Sequence, residues 1–383
     1  MIAPGKALSY SELADAAHTL AGDMPPLLPL DLAGSAHFAA LLHAAALAGT
    51  AIAPLNPELP KPVLPAALPP GTLAVMSTSG TSGEPRPIPL TRTNFEASAR
   101  ASAAHLGVAA YDRWLCCLPI FHVGGLSILI RSALYSTTAV VEEKFDAQRV
   151  KDLLESREVT IVSLVPTMLA RLRDAGFERA DGLRALLLGG GPIPDELFDW
   201  AIAVGLPVMA TYGMTETTSQ VATSDIGTRA ARRLSGVELD IADDGEILVR
   251  GPMVAADGWF HTGDRGRLTE DGLLEVEGRM DDLIVTGGEN VAAAEVEAAL
   301  LEHPAVTDAA VIGVDDPEWG RAVTAFVVAA AGEDDIAAHA RAKLPGFKAP
   351  KRIYVVDELP RTASGKVQRA QLESRAHDLR QRR

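Results

Sequence analysis

Ser77-Thr78-Ser79-Gly80-Thr81-Ser82-Gly83-Glu84-Pro85-Arg86 alternates hydroxyls with glycines and closes on a cation, directly after the apolar run Leu73–Met76. Glycine lets the main chain come close to an anion, and hydroxyl and main-chain N–H groups donate to its oxygens. The chemistry such a loop suits is the cradling of a polyphosphate. It is not a Walker loop, because no G-x-x-x-x-G-K-[ST] is present and the cation follows a proline. A plain Ser/Gly surface loop has the same composition.

Other chemistry-bearing residues stand further along. Lys366 lies on a turn beside Gly365, within Leu359-Pro360-Arg361-Thr362-Ala363-Ser364-Gly365-Lys366-Val367. Glu216 closes Tyr212-Gly213-Met214-Thr215-Glu216 and supplies a carboxylate suited to Mg²⁺, which favours one or two carboxylates plus phosphate oxygens. Asp264 ends Thr262-Gly263-Asp264, and Arg279 sits in Gly278-Arg279-Met280-Asp281. His122 follows the apolar run Leu118-Pro119-Ile120-Phe121. Arg131 falls inside an apolar helical stretch and therefore needs a partner. That partner is either a substrate carboxylate or one of Glu142 and Glu143.

These residues need elements to hold them. Leu73–Met76 reads as a buried strand. Ser9 and Glu12 match a capping box, opening a helix that Gly22 would end. Leu41–Ala48 reads as a helix and Ala51–Ala53 as a strand, whereas 58–71 holds five prolines and reads as a connector. From Asp146 strands and helices alternate. Thr160–Val165, Arg184–Leu188 and Val208–Tyr212 are strands, with helices opened by Pro166 and Asp195. This alternation implies a parallel sheet with crossovers, whose ligands sit beyond the strand C-termini. Gly189-Gly190-Gly191-Pro192 and the Tyr212 motif fall at two such ends. After Leu234 the chain turns strand-rich, with tight turns at Asp244-Gly245 and Asp271-Gly272. A compact α+β unit follows, with a helix over Ala293–Leu301, strands near Val306–Val314, Val323–Ala329 and Ile353–Val356, and a helix near Ala337–Leu344. The expected fold class is α/β: a large N-terminal domain over 1–279 with mostly parallel sheets and a strand-rich part, and a small mobile α+β domain over 280–383.

The order and spacing of these motifs resemble the adenylate-forming superfamily of acyl-CoA synthetases, luciferases and carrier-protein adenylation domains, from about Leu8 to the last helix. The resemblance implies ATP, Mg²⁺ and coenzyme A as reactants and cofactor. A carboxylate would attack the α-phosphate to give an acyl-adenylate, and a thiol would then take the acyl group. The loop from Thr78 through Ser79, Gly80, Thr81, Ser82 and Gly83 to Arg86 would grip the β- and γ-phosphates. Arg86 stands where the family usually has lysine, which keeps the charge and changes its geometry. Gly189, Gly190 and Gly191 would pack against adenine with Tyr212 stacking nearby. Thr215 would touch the α-phosphate, Glu216 would hold the metal, and Asp264 and Arg279 would meet the ribose. Lys366, on the small domain, would bridge the attacking carboxylate and an α-phosphate oxygen. Asp281 resembles the hinge, and Gly287 and Gly288 the thiol-side loop. His122, Arg131 and Ser163 would line the acid pocket. Within the superfamily, the stretches around His122–Ser132, Ser163–Thr167 and Tyr212–Gln220 are most similar to the ligases that activate o-succinylbenzoate for menaquinone synthesis. Another aryl- or medium-chain acyl-CoA ligase, or a non-catalytic nucleotide-binding scaffold, are the other readings. Shortening around 58–71 relative to the family bears on dimer contacts, so a homodimer stays open.

Composition narrows the partners. With 35 basic and 50 acidic residues the formal net charge is −15, which argues against a nucleic-acid surface. Anionic substrates must then meet local cations such as Arg86, Arg279 and Lys366. Cys116 and Cys117 are adjacent on an expected strand and point to opposite faces, which disfavours a disulfide between them, and a reduced, cytoplasmic setting fits. No charged start followed by an apolar core marks a signal peptide. Ala36–Leu55 is long and apolar, but His37, His43 and Gly49 mark it as a buried helix and strand rather than an integral membrane segment.

Overall fold

The computed structural model describes residues 1–57, 61–79, 85–280, 283–361 and 367–381. It divides into two compact units: Met1–Thr262 with Arg267–Glu275, and Gly263–Gly266 with Val276–Arg383.

Local chemistry explains where the first helices begin. Glu12 N donates to Ser9 Oγ at 3.2 Å and Ser9 N donates to the Glu12 carboxylate at 2.8 Å, opening the helix Tyr10–Leu20. That helix ends at Leu20, short of Gly22. The next helix, Ala36–Ala48, starts five residues before Leu41, with Ser35 Oγ accepting from Phe38 N. It is buried on most of its circumference, so no polar face marks its start. Gly49 closes it at φ +69°.

The first unit is organised by six neighbouring parallel strands: Ile2–Ala3, Thr138–Val141, Arg113–Cys116, Ile161–Leu164, Ala185–Gly189 and Val208–Met214. Crossover helices Val123–Tyr135, Ala147–Glu155, Pro166–Asp174 and Asp195–Ala203 lie between them in the chain. Beyond Met214 the sheet turns antiparallel through Ser219–Ser224 and Ala231–Arg233. A second sheet joins Leu27–Leu30 and Ala51–Pro54 in parallel and ends in the hairpin Thr72–Ser79 with Pro85–Thr91.

Side-chain alternation gives the central sheet two dry faces. Trp114, Cys116, Ala185, Leu187 and Met209 enter one apolar cluster. Leu115, Cys117, Leu186, Leu188 and Val208 enter the other. The two cysteines are therefore buried, free and on opposite faces. Among the described residues no helix is long and apolar enough to cross a membrane.

In the second unit, Gly320–Ala329 pairs with Val306–Asp316, Leu283–Thr286 and Arg352–Val355, and Glu289–Ala292 pairs with Leu283–Thr286. Val311, Val323 and Ala325 face a cluster shared with the helices Ala293–Leu301 and Glu333–Lys343. Ala310, Ile312 and Phe326 face the other, shared with Leu372 and Ala376 of the last helix.

Candidate active site

The described ends of the segment rich in hydroxyls and glycines lie on the paired strands Thr72–Ser79 and Pro85–Thr91. Thr78 pairs with Arg86 and Ser79 with Pro85. Thr78 Oγ1 donates to Arg86 O at 3.4 Å, and the Arg86 side chain is exposed. The strand runs to Ser79, three residues beyond Met76, because pairing with Pro85–Thr91 carries it on. Gly80, Thr81, Ser82 and Gly83 lie outside the described residues.

Two strand ends carry the next group. Gly189 is the last residue of its strand rather than a loop residue. A Cβ there would stand 2.3 Å from Thr211 Oγ1 on the neighbouring strand, so its smallness serves sheet packing. Gly190 and Gly191 follow at the strand's C-terminus. Tyr212 lies on Val208–Met214, half-buried against the cluster containing Val221 and Val237. The chain then makes the single turn Thr215–Thr217 and reverses into Ser219–Ser224. Interior bonds fix this reversal: Met214 N donates to Thr217 Oγ1 at 2.9 Å, Thr218 Oγ1 donates to Met253 O at 2.7 Å, and Ala255 N donates to Glu216 O at 2.7 Å. Thr217 and Thr218 are fully buried, whereas Thr215 and Glu216 are partly exposed. The Glu216 carboxylate enters no ion pair among the described residues. No group of three or more His, Cys, Asp or Glu suited to a metal occurs among the described residues. A single open carboxylate fits an ion whose other ligands are phosphate oxygens and water.

His122 immediately precedes the helix Val123–Tyr135, its ring edge-on to Phe121 with centroids 4.8 Å apart. Gly125 lets that helix begin tight against the preceding loop, since a Cβ would lie 2.4 Å from Pro119 O. Arg131, two turns on, is 3 % exposed. Its Nη1 donates to Gln220 Oε1 at 2.9 Å and its Nη2 to Ser98 Oγ at 2.8 Å. The guanidinium carbon stands 5.8 Å from the centroid of Trp114, whose indole N–H donates to Ser163 Oγ at 3.1 Å. Trp114 thus connects Arg131 to Ser163. Burial presses the Arg131 pKa below its ordinary value, and the group remains a cation at neutral pH. Neither Glu142 nor Glu143 is its partner. Glu142 pairs with Arg149 at 3.2 Å, and no carboxylate reaches Arg131 among the described residues. Its hydrogen-bond partners among the described residues are both neutral.

Trp114, Ser98 and Gln220 were not apparent from the sequence as parts of this site. A buried Trp must place its N–H, which signals a polar neighbour without naming it. Ser98 and Gln220 lie 122 residues apart in the chain and meet only through the fold.

In the second unit, Arg279 Nη1 donates to Asp264 Oδ1 at 2.8 Å. Asp264 is buried and Arg279 half-exposed, so the structure joins the two expected ribose contacts into one ion pair. Gly287 and Gly288 form a two-residue hairpin turn between Leu283–Thr286 and Glu289–Ala292. Trp319 borders it, its carbonyl accepting from Gly287 N at 2.8 Å. Asp281 and Lys366 lie outside the described residues.

Residues 61–257 match the model of the AMP-binding enzymes, and residues 295–366 match the model of the AMP-binding enzyme C-terminal domain. The chain belongs to the AMP-binding enzymes. The 2-succinylbenzoate–CoA ligase of Listeria monocytogenes is 40 % identical over 328 residues, covering 79 % of this chain and 70 % of that protein. Its counterpart from Bacillus licheniformis is 42 % identical over 331 residues, covering 78 % and 69 %. Among solved structures, the o-succinylbenzoate CoA synthetase of Bacillus subtilis in complex with the acyl-adenylate intermediate OSB-AMP has a TM-score of 0.89 at 31 % identity, covering 97 % of this chain and 94 % of that one. The same synthetase in complex with ATP and magnesium ion also has a TM-score of 0.89, with 97 % and 96 % covered. Membership accounts for the fold and for the order of the motifs along it.

Proposed function

We propose that this AMP-binding enzyme is a cytoplasmic acid–CoA ligase that converts o-succinylbenzoate to its CoA thioester for menaquinone synthesis. A carboxylate oxygen of the acid attacks the α-phosphorus of ATP, the bond to the β-phosphate oxygen breaks, and pyrophosphate leaves. The thiol sulfur of CoA then attacks the acyl carbon of the adenylate, and AMP leaves with the carbon–oxygen bond's electrons.

The observation that carries the substrate is Arg131, a buried cation with only neutral partners on the expected acid side. o-Succinylbenzoate has an aromatic carboxylate besides the succinyl carboxylate that is activated, and Arg131 serves the first. His122 and Ser163 complete the acid pocket. Thr215 contacts the α-phosphate, and Glu216 would hold Mg²⁺, which neutralises phosphate charge when bound. The segment from Thr78 to Arg86 holds the β- and γ-phosphates, while Gly189–Gly191 and Tyr212 flank adenine. Asp264 accepts from the ribose hydroxyls, its charge kept in place by Arg279. Lys366, carried by the small domain over 280–383, bridges the attacking carboxylate and an α-phosphate oxygen as charge develops. Rotation at Asp281 withdraws it and brings Gly287-Gly288 to the thiol path. Placement and electrostatic stabilisation supply most of the rate.

ATP–pyrophosphate exchange with a panel of acids tests this reading. Exchange with o-succinylbenzoate is expected to exceed that with any acid lacking its second carboxylate by roughly tenfold or more; comparable exchange across simple aryl or medium-chain acids would replace the reading. Lys366→Ala should lower exchange by about a thousandfold while sparing thiolation of supplied adenylate, the scale of losing one preorganised charge donor. Loss of both half-reactions would show that Lys366 has another role.

A further inference from the structure

Gln220 holds Arg131 in a particular way. The amide oxygen accepts from Arg131 Nη1 at 2.9 Å, and from Ser102 Oγ at 3.0 Å, while Gln220 Nε2 donates to Thr223 Oγ1 at 3.3 Å. On the other side Ser98 Oγ accepts from Arg131 Nη2 and donates to Thr218 O at 2.8 Å. Gln220 is 6 % exposed and lies on the strand Ser219–Ser224, while Ser98 is anchored to Thr218 just before it. The guanidinium is therefore fixed at both ends.

None of these bonds cancels its charge. A buried cation is ordinarily matched by a carboxylate, because an uncompensated charge in low dielectric is costly. The same chain matches a buried charge elsewhere, where the buried Asp112 meets Arg184. A glutamate at 220 would have the same length as glutamine and would supply the missing counter-charge. Glutamine supplies the hydrogen bond alone, and the arginine's field reaches its surroundings undiminished.

We infer that Gln220 is a specificity-determining positioning residue: it fixes the Arg131 guanidinium through a neutral bond, reserving the positive charge for the second carboxylate of a dicarboxylic acid. This rests on the proposed reading that the acid carries such a group.

The test compares kcat/KM for o-succinylbenzoate with that for 4-oxo-4-phenylbutanoate, which lacks the ring carboxylate, in the parent and in Gln220→Glu. The parent should favour the dicarboxylate by roughly ten- to a hundredfold, the worth of one hydrogen bond to a charged group. In Gln220→Glu that ratio should fall to within about twofold of unity, with KM for ATP and the melting temperature held. A ratio within about twofold of the parent's would overturn the inference, since a merely structural glutamine leaves acid preference unmoved. Gln220→Met keeps the charge but frees the guanidinium. Its ratio should fall severalfold, and an unchanged ratio there overturns the inference even if the glutamate variant does not fold. A parent that turns over neither acid, or both equally, would remove the underlying reading and this inference with it.

Discussion

Two buried charges in the first unit are treated in opposite ways. Asp112, 1 % exposed, stands just before the strand Arg113–Cys116 and is fully answered. Arg184 Nε and Thr160 Oγ1 donate to its Oδ1 at 2.7 and 2.8 Å, and Ala109 N donates to its Oδ2 at 2.8 Å. Thr160 and Arg184 directly precede two neighbouring parallel strands, so one carboxylate ties three strand starts together. Arg131, equally buried, meets an amide, a hydroxyl and an aromatic face. Asp112 spends its charge on the sheet, whereas Arg131 keeps its charge unspent. A buried charge that the protein leaves uncompensated marks a place for a ligand, and a compensated one marks a joint of the scaffold.

The largest expected effect is on Arg131→Met. Activity with o-succinylbenzoate should fall by roughly a hundredfold, and chemical denaturation should show stability unchanged or raised, because an apolar chain of similar length replaces a desolvated charge. A loss of several kcal/mol in stability would make Arg131 a scaffold joint like Asp112. Asp112→Asn should behave in reverse, losing about 3 kcal/mol of stability while the ratio of the two acids' kcat/KM stays put. Urea midpoints would check it.

Acid should act through Asp112 in a definite direction. Burial pulls its carboxyl upward, but the bonds from Arg184, Ala109 and Thr160 outweigh that and hold it below the usual carboxylate range. A depressed carboxyl contributes stability that is present above the unfolded-state value and lost as pH falls through the folded one. Stability of the parent should therefore decline below about pH 4 more steeply than that of Asp112→Asn, measured by denaturation at stepped pH. A smaller effect concerns the two sheet faces. Burial pushes the Cys116 thiol up to about 12 and Cys117 further, so neither should react with a thiol reagent at pH 8 until the protein unfolds. Smallest is Ser9→Ala, expected to cost about 1 kcal/mol through the lost cap.

Much of the scaffold was legible because it follows local rules. The Ser9–Glu12 cap and the apolar strands around Leu186 and Val208 are written in neighbouring residues, whereas the two-residue turn at Gly287-Gly288 emerged only from the pairing of Leu283–Thr286 with Glu289–Ala292. Element ends were less legible. Ala36–Ala48 opens on the single cap of Ser35 with no polar face behind it, and Thr72–Ser79 runs as far as its hairpin partner carries it. Of the acid side, Arg131 stood out as a cation in an apolar helix, yet its partner was undecided between glutamates eleven and twelve residues away and a substrate.

Sequence alone settled which residue types were available for chemistry and in what order: hydroxyls and glycines before Arg86, Glu216 after a strand, Asp264 and Arg279 near a change of unit. Periodicity and caps act over a few residues, so they are read directly. Only the tertiary structure decided which groups meet. It turned Glu142 towards Arg149, brought Ser98 and Gln220 to Arg131 and set Trp114 between Arg131 and Ser163. Such contacts join distant segments through the packing of a whole sheet face, and no local pattern records them.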